Sequence, residues 1–260
     1  MNFLEHIVKA RRRDVEAAKR VIPLAALRRQ ASSRQHRSLA KRLLEAAPPR
    51  IIAEVKKASP SAGLLRSDYN PAAIARRYEE CGAVGVSVLT EPRYFQGHGR
   101  HLQEVRSAID LPVLCKDFIV DAYQIAEAAV WGADAVLLIV PALDVHTLRS
   151  LYDEARGLGL EVIAEVHGEP ELNTALDLPE AILGVNSRDL RTLSTDLAVA
   201  RKLVRKIPAG RLRLAESGIR TPGQIQELQA LGYHGFLIGE TLLREYNPGT
   251  KLMELRGMPT

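Results

Sequence analysis

The chain has 260 residues, 46% of them hydrophobic and 26% charged, a length that suits a single α/β barrel of about 250 residues as well as two smaller domains. This composition excludes the disordered and fibrous classes, and two cysteines are too few for a disulfide framework or a thiolate cage, so Cys81 and Cys115 read as reduced packing residues. The net charge of +5 does not mark a nucleic-acid binder, because residues 1–50 hold 13 Lys and Arg against 4 Asp and Glu while the rest hold 23 against 27.

From the N-terminus, Leu4, Ile7, Val8, Val15 and Ala18 recur at helical spacing, so "ARRRDVEAAKR" reads as the solvated face of an amphipathic helix rather than an RNA or membrane contact. No stretch approaches the roughly 18 apolar residues of a membrane span. The N-terminus also lacks a secretory apolar segment and cleavage site, which points to the cytoplasm. The paired prolines of "AAPPR" end this region, so residues 1–48 are expected to be a helical extension covering a barrel that runs from 49 to 260, all within one domain.

Beyond the prolines, short β-branched runs alternate with helical stretches. The runs are "RIIAEVKK", "VGVSVLT", "PVLCKD", "DAVLLIV", "LEVIAEVH", "AILGVN", "RLRLAES" and "GFLIGE", from positions 50, 84, 112, 134, 160, 181, 211 and 235. Stretches such as "PAAIARRYEECGA", "DAYQIAEAAVWGA" and "TPGQIQELQALG" open on Pro, Asp or Thr and close near Gly, the ordinary helix signals. Strands apolar on both faces and joined by helical crossovers are parallel, and eight such units favour one closed (β/α)8 TIM barrel over an open doubly wound sheet. The nucleotide-binding form of the open sheet needs a glycine fingerprint after its first strand, where this chain has "KKASPSAG".

In such a barrel the functional groups sit at the C-terminal ends of the strands. A period of two puts Ile52, Glu54 and Lys56 on one side of the first strand. An unpaired buried charge there would cost several kcal/mol, roughly, so Glu54 and Lys56 are either an architectural ion pair or working groups. Lys116 closes the third strand, Glu165 the fifth, Asn186 the sixth, and Glu216 with Ser217 the seventh. Any one of these alone reads as a satisfied structural group, but two lysines among three carboxylates in one partly dry mouth tune each other's proton affinity, the setting for general acid–base chemistry. Gly218 in "ESGI" and Gly239 in "IGE" stand where barrels bring backbone N–H groups to a phosphate, with Ser59 and Ser61 after the first strand placed to close over it. His6, His36, His146, His167 and His234 are scattered, and His98 and His101 in "FQGHGRHLQ" read as a solvated loop pair, so no metal is expected.

The segments "IIAEVKKASPSAG", "SVLTEPRYFQG", "PVLCKDFIVDAYQI", "AEVHGEPEL", "GVNSRDL", "AESGI" and "FLIGETLL", in this order over nearly the whole chain, resemble the indole-3-glycerol phosphate synthases of tryptophan biosynthesis. The resemblance implies a (β/α)8 barrel with an N-terminal helical extension. It implies a carbon–carbon lyase that converts 1-(2-carboxyphenylamino)-1-deoxyribulose 5-phosphate into indole-3-glycerol phosphate with loss of carbon dioxide and water. It also implies no cofactor, no metal and no nucleic-acid or membrane partner, only a small phosphosugar substrate, and the chain is expected to act as a monomer. By the same resemblance Lys116 is the general acid of ring closure, Lys56 holds the substrate carboxylate, and Glu165 stabilises positive charge or moves protons. Glu54 and Glu216 orient the lysines, Asn186 and Ser217 bind substrate hydroxyls, Ser59, Gly218 and Gly239 hold phosphate, and Arg188 stands near the carboxylate. Phe95, Phe118, Leu137, Leu190 and Leu193 would wall the aryl pocket. Glu240 follows Gly239 where some relatives offer a serine to the phosphate, and its carboxylate is expected to point away. The competing readings are another phosphosugar barrel enzyme, either a phosphoribosylanthranilate isomerase or a Schiff-base aldolase using Lys56 or Lys116, and a non-catalytic phosphate-ligand receptor.

Overall fold

A computed structural model of the protein describes residues 2–31 and 35–259. Among these, eight parallel strands close into a barrel in chain order: β1 (Ile51–Val55), β2 (Gly85–Leu89), β3 (Val113–Lys116), β4 (Ala135–Ile139), β5 (Glu161–Val166), β6 (Ile182–Asn186), β7 (Arg213–Glu216) and β8 (Gly235–Ile238). The ring closes where Ile51 of β1 pairs with Phe236 of β8, so the barrel leaves no open edge. Alternation along each strand separates two cores. Ile52, Leu114, Leu137, Ile163, Leu214 and Leu237 fill the barrel, while Ile51, Val113, Val136, Val162, Ala215 and Phe236 pack under the surrounding helices.

The outer layer consists of α4 (Pro71–Glu80), α5 (Gly99–Ala108), α6 (Ala122–Trp131), α7 (Val145–Gly157), α8 (Glu169–Leu176), α9 (Ala198–Leu203) and α10 (Pro222–Ala230), with α11 (Glu240–Leu243) and α12 (Pro248–Leu255) after β8. The cap residues act as the sequence implies. Asp121 accepts from Tyr123 N at 2.9 Å to open α6, and Gly132, at φ +93°, closes it. One stretch differs in part from expectation, because "FQGHGRHLQ" is loop only as far as the exposed His98 and is helical from Gly99 on. His98 caps α5 by accepting from Arg100 N at 3.0 Å, and His101 lies on α5, half-buried, with its ring 5.1 Å from that of Tyr69. Flanking glycines and charges hid a helix whose apolar stripe is only Leu102 and Val105.

The N-terminal extension is α1 (Phe3–Lys19), α2 (Leu24–Ala31) and α3 (Leu39–Glu45), and its helices attend to opposite ends of the barrel. Leu39 and Leu43 of α3 are fully buried against the strand starts, where Gly85 and Gly235 leave room for their methyl groups. The start of α1 lies at the other end, with Phe3 lining the mouth. Its "ARRR" run is not wholly solvated. Arg11, in line with Ile7 and Val15 on the buried stripe, is 7% exposed and forks onto Asp117 at 2.9 and 3.0 Å. A guanidinium can be buried there because a carboxylate matches it bidentately. Cys81 and Cys115 are both buried free thiols, outside any disulfide. Among the described residues no helix is long and apolar enough to cross a membrane.

Candidate active site

The inward positions of the strands become polar as each strand approaches its C-terminal end. Leu114 is followed two residues on by Lys116, Ile163 by Glu165, and Leu214 by Glu216, so three chemically active side chains arrive at one level above the apolar barrel core. Lys116 Nζ stands between the two carboxylates, 3.2 Å from Glu165 Oε2 and 3.1 Å from Glu216 Oε2, and both acids are 1% exposed. Burial lowers the affinity of Lys116 for its proton, but Glu216, Glu165 and Glu54 overcome it and hold the amine as an ammonium. Burial likewise pushes Glu165 upward, and there Lys116 and His167 win, so Glu165 stays below the usual carboxylate range. Glu216 goes the other way. Burial pushes it up to about 7, against Lys116 and with help from the charge on Glu165. Glu216 therefore exchanges a proton near neutrality while Glu165 stays ionised.

Glu54 and Lys56 form a second buried pair, with Nζ to Oε1 at 2.5 Å. Gly184 and Gly239 make these arrangements possible. A Cβ on Gly184 would lie 2.3 Å from Glu216 Oε1, and one on Gly239 would lie 2.2 Å from Glu54 Oε1. Gly239, expected as a phosphate cradle, thus has a second reason to be glycine, since it clears the space that the Glu54 carboxylate occupies.

Ser59, Asn186, Arg188, Ser217, Gly218 and Gly239 all line the same cleft as the two lysines and three carboxylates. Ser217 and Gly218 have φ of +64° and +79°, and a non-glycine residue held there stores backbone strain of order 1–3 kcal/mol, as functional loops often do. Arg188 reaches across the rim from the segment after β6. It donates to Ser61 Oγ at 3.2 Å, to the carbonyl of Leu193 at 3.2 Å and to Glu240 Oε2 at 3.1 Å. Glu240 therefore does not turn away from the mouth as expected. It lines the mouth, because Arg188 on one side and Arg244 on the other draw its carboxylate there, and with Lys56 they hold it below its ordinary range against burial. Phe95, Phe118, Leu137, Leu190 and Leu193 supply the apolar wall, with the rings of Phe95 and Phe118 6.2 Å apart. Leu193 is itself held at φ +63°.

Three features escaped the sequence reading. Phe3 comes to the cleft from α1, across nearly the whole chain. Asp117, adjacent to Lys116, receives Arg11, Thr90 Oγ1 at 2.7 Å and Phe118 N at 2.7 Å, which ties α1 to the strand end that carries the lysine. The signal for that tie was an arginine interrupting an apolar stripe. His167, two residues beyond Glu165 and on the same side of the chain, brings Nε2 within 3.3 Å of Glu165 Oε1, near enough for charge attraction but off the line of a hydrogen bond. Among the described residues no group of three or more His, Cys, Asp or Glu side chains is arranged to hold a metal ion.

A family model described as indole-3-glycerol phosphate synthase matches residues 4–255. The chain is 45% identical over 260 residues to the indole-3-glycerol phosphate synthase of Chromobacterium violaceum, covering 98% of this chain and 97% of that protein. It is also 45% identical over 257 residues to the one of Burkholderia vietnamiensis, covering 98% of each. Among solved structures it is similar to a tryptophan synthase complex of Pyrococcus furiosus, at a TM-score of 0.62 and 16% identity over 81% of this chain and 98% of that one. It is similar too to the thiamine phosphate pyrophosphorylase of the same organism, again at 0.62 and 16%, over 85% and 96%. At such identity these two structures speak for the barrel alone.

Proposed function

The chain belongs to the indole-3-glycerol phosphate synthase family, and from that premise we propose that it closes the ring of 1-(2-carboxyphenylamino)-1-deoxyribulose 5-phosphate to indole-3-glycerol phosphate, as a carbon–carbon lyase. The observation that carries the reading is Lys116, an ammonium held between Glu165 and Glu216 in a cleft with an apolar wall on one side and polar groups on the other. The aryl ring packs against Phe95, Phe118, Leu137, Leu190 and Leu193, and the ring carbon that bears the carboxylate faces the ribulose carbonyl. Lys116 gives its proton to that carbonyl oxygen as the new carbon–carbon bond forms. Lys56, with Arg188 beside it, holds the carboxylate until it leaves as carbon dioxide and the ring regains aromaticity. Glu165 stabilises the positive charge that passes through the anilino nitrogen. Glu216 and Glu54 orient the two lysines, and Asn186 and Ser217 take the ribulose hydroxyls. Ser59 and the backbone N–H groups about Gly218 and Gly239 receive the phosphate, the latter residue standing just before α11.

An imine-forming aldolase would need a free amine, and Lys116 between two carboxylates is the opposite arrangement. In this reading the protein is a cytoplasmic monomer of one catalytic domain, works without a cofactor, and uses its helical extension, residues 1–48, to complete barrel 49–260. The test is direct. Purified, chelator-treated protein is mixed with the carboxyphenylamino substrate and indole fluorescence is followed; a rise in fluorescence with release of carbon dioxide is expected, and no rise sinks the proposal.

A further inference from the structure

The proposed reaction has a proton balance that the cleft by itself does not close. One proton goes to the ribulose oxygen as the carbon–carbon bond forms. The carboxylate then leaves as carbon dioxide, its bonding electron pair returning to the ring. A second proton goes to the same oxygen as its carbon–oxygen bond breaks and water departs, and one proton is recovered from the neighbouring carbon. Two protons are given and one is returned, so each turnover draws one proton from solvent, matching the negative charge that disappears with the carboxylate. Both protons go to one oxygen, so a route from solvent to the acid beside it that avoids the substrate-filled mouth would let that acid be refilled within one turnover.

Behind Glu165 lies a second cavity of about 700 Å³, bounded by the start of α1, the start of α8 and the segment after β6. It shares only Asn186 and Leu190 with the mouth. Its size admits water many times over, and Ser187, 2% exposed, lines it with a hydroxyl that has no hydrogen-bond partner among the described residues. His167 stands between the two spaces. Its Nε2 is 3.3 Å from Glu165 Oε1, the oxygen that Lys116 does not use, and its Nδ1 is 3.6 Å from Glu171 Oε2 on the cavity side. Glu171 is fixed in turn by the backbone N–H groups of His167 and Gly168. The other charged groups lining the cavity are Glu5 of α1 and Asp189, Arg191 and Asp196 after β6.

We propose that His167 is a proton-relaying positioning residue, refilling the Lys116, Glu165 and Glu216 cluster from water in the second cavity. A proton enters at Nδ1, where Glu171 supports the imidazolium, and leaves from Nε2 to Glu165 Oε1 when a small rotation of the ring brings the N–H into line, and Glu165 passes it to Lys116. The two acids flanking the ring favour its charged form over the opposing effect of burial. The relay rests on the proposed ring closure.

The test compares wild type with His167→Gln in steady-state turnover of the carboxyphenylamino substrate, in H2O and D2O, with and without added imidazole. The expected result is a kcat about tenfold lower with KM within about twofold. The solvent isotope effect should be larger in the variant, and imidazole should restore part of its rate without changing wild type. A variant with wild-type kcat overturns the relay, and so does a slow variant that imidazole does not rescue, since a merely structural histidine gives that result. If His167→Gln does not melt cooperatively, Glu171→Gln takes its place, with kcat expected to fall about threefold and the fall to deepen as pH rises; an unchanged kcat then overturns the relay. Wild type that forms no indole product refutes the ring-closure reading itself and is distinguished by that control.

Discussion

Both ends of the barrel bury carboxylates, and they treat them differently. At the N-terminal end Asp134, fully buried, accepts from Arg37 N at 2.8 Å, Val113 N at 2.9 Å and Arg106 Nη1 at 2.6 Å. Glu161 caps the α3 plug, accepting from Ser38 Oγ at 2.6 Å, Leu39 N at 2.8 Å and Ala40 N at 2.9 Å. At the C-terminal end Glu165 and Glu216 each give one oxygen to Lys116, and neither Oε1 has a hydrogen-bond partner among the described residues. Fixed backbone donors stabilise a fold, whereas half-satisfied acids around one ammonium are ready to exchange protons and weaken the fold by the desolvation they leave uncompensated. Burial of like groups therefore does not imply a like role. What separates them is who donates.

That contrast predicts that damage at one end should be read in stability and damage at the other in rate. The largest effect is expected from Asp134→Ala, which leaves Arg106 without its buried partner and should lower unfolding free energy by about 3–5 kcal/mol, measured by urea denaturation, while kcat of the folded fraction stays at wild type. A comparable loss of kcat would break the division between the ends. Lys116→Met should instead lower turnover by about 100-fold or more, at least about 2.7 kcal/mol of barrier, with a cooperative melt retained; a folded variant that turns over normally removes Lys116 from the chemistry.

The double replacement Glu54→Leu with Lys56→Met sharpens the comparison, because it exchanges a buried ion pair for apolar groups of similar size. Stability should be unchanged or rise by roughly 1–4 kcal/mol, while turnover drops at least about tenfold. Undiminished activity would make the pair architectural, like the carboxylates at the far end. The smallest effect concerns pH. Glu216 is raised from an ordinary 4.5 to about 7 in the folded state, so between these values the folded chain binds the proton more tightly than the unfolded one, and its contribution to stability falls as pH rises through that window. Glu216→Gln should flatten the fall, as read from melting temperatures across the window, and an equally steep fall in the variant would mean that another group titrates there.

Much of this was legible from the chain. Alternating β-branched and helical runs sufficed for the barrel, because strand and helix periods are local and each strand must bury both faces. Period-two spacing within "IIAEVKK", "VLCK" and "RLAES" put Glu54, Lys56, Lys116 and Glu216 on the inward side, and the C-terminal-end rule then placed them in one mouth. Glu240 was misjudged because its direction depends on Arg188, 52 residues away. The buried Arg11 was misjudged because its partner Asp117 is 106 residues away, and a charged side chain carries no local mark of whether it will meet a carboxylate or water.

The sequence by itself determined the strands, their inward faces and the chemical types that the mouth would hold, since these follow from periodicity and from the geometry of a closed parallel sheet. Only the tertiary structure decided which charges are spent on the fold and which are left to work. That division is set by distances between groups far apart in the chain: the donors gathered around Asp134 and Glu161, one ammonium shared by Glu165 and Glu216, a histidine between two cavities, and the missing Cβ atoms of Gly184 and Gly239 that let carboxylates into the barrel.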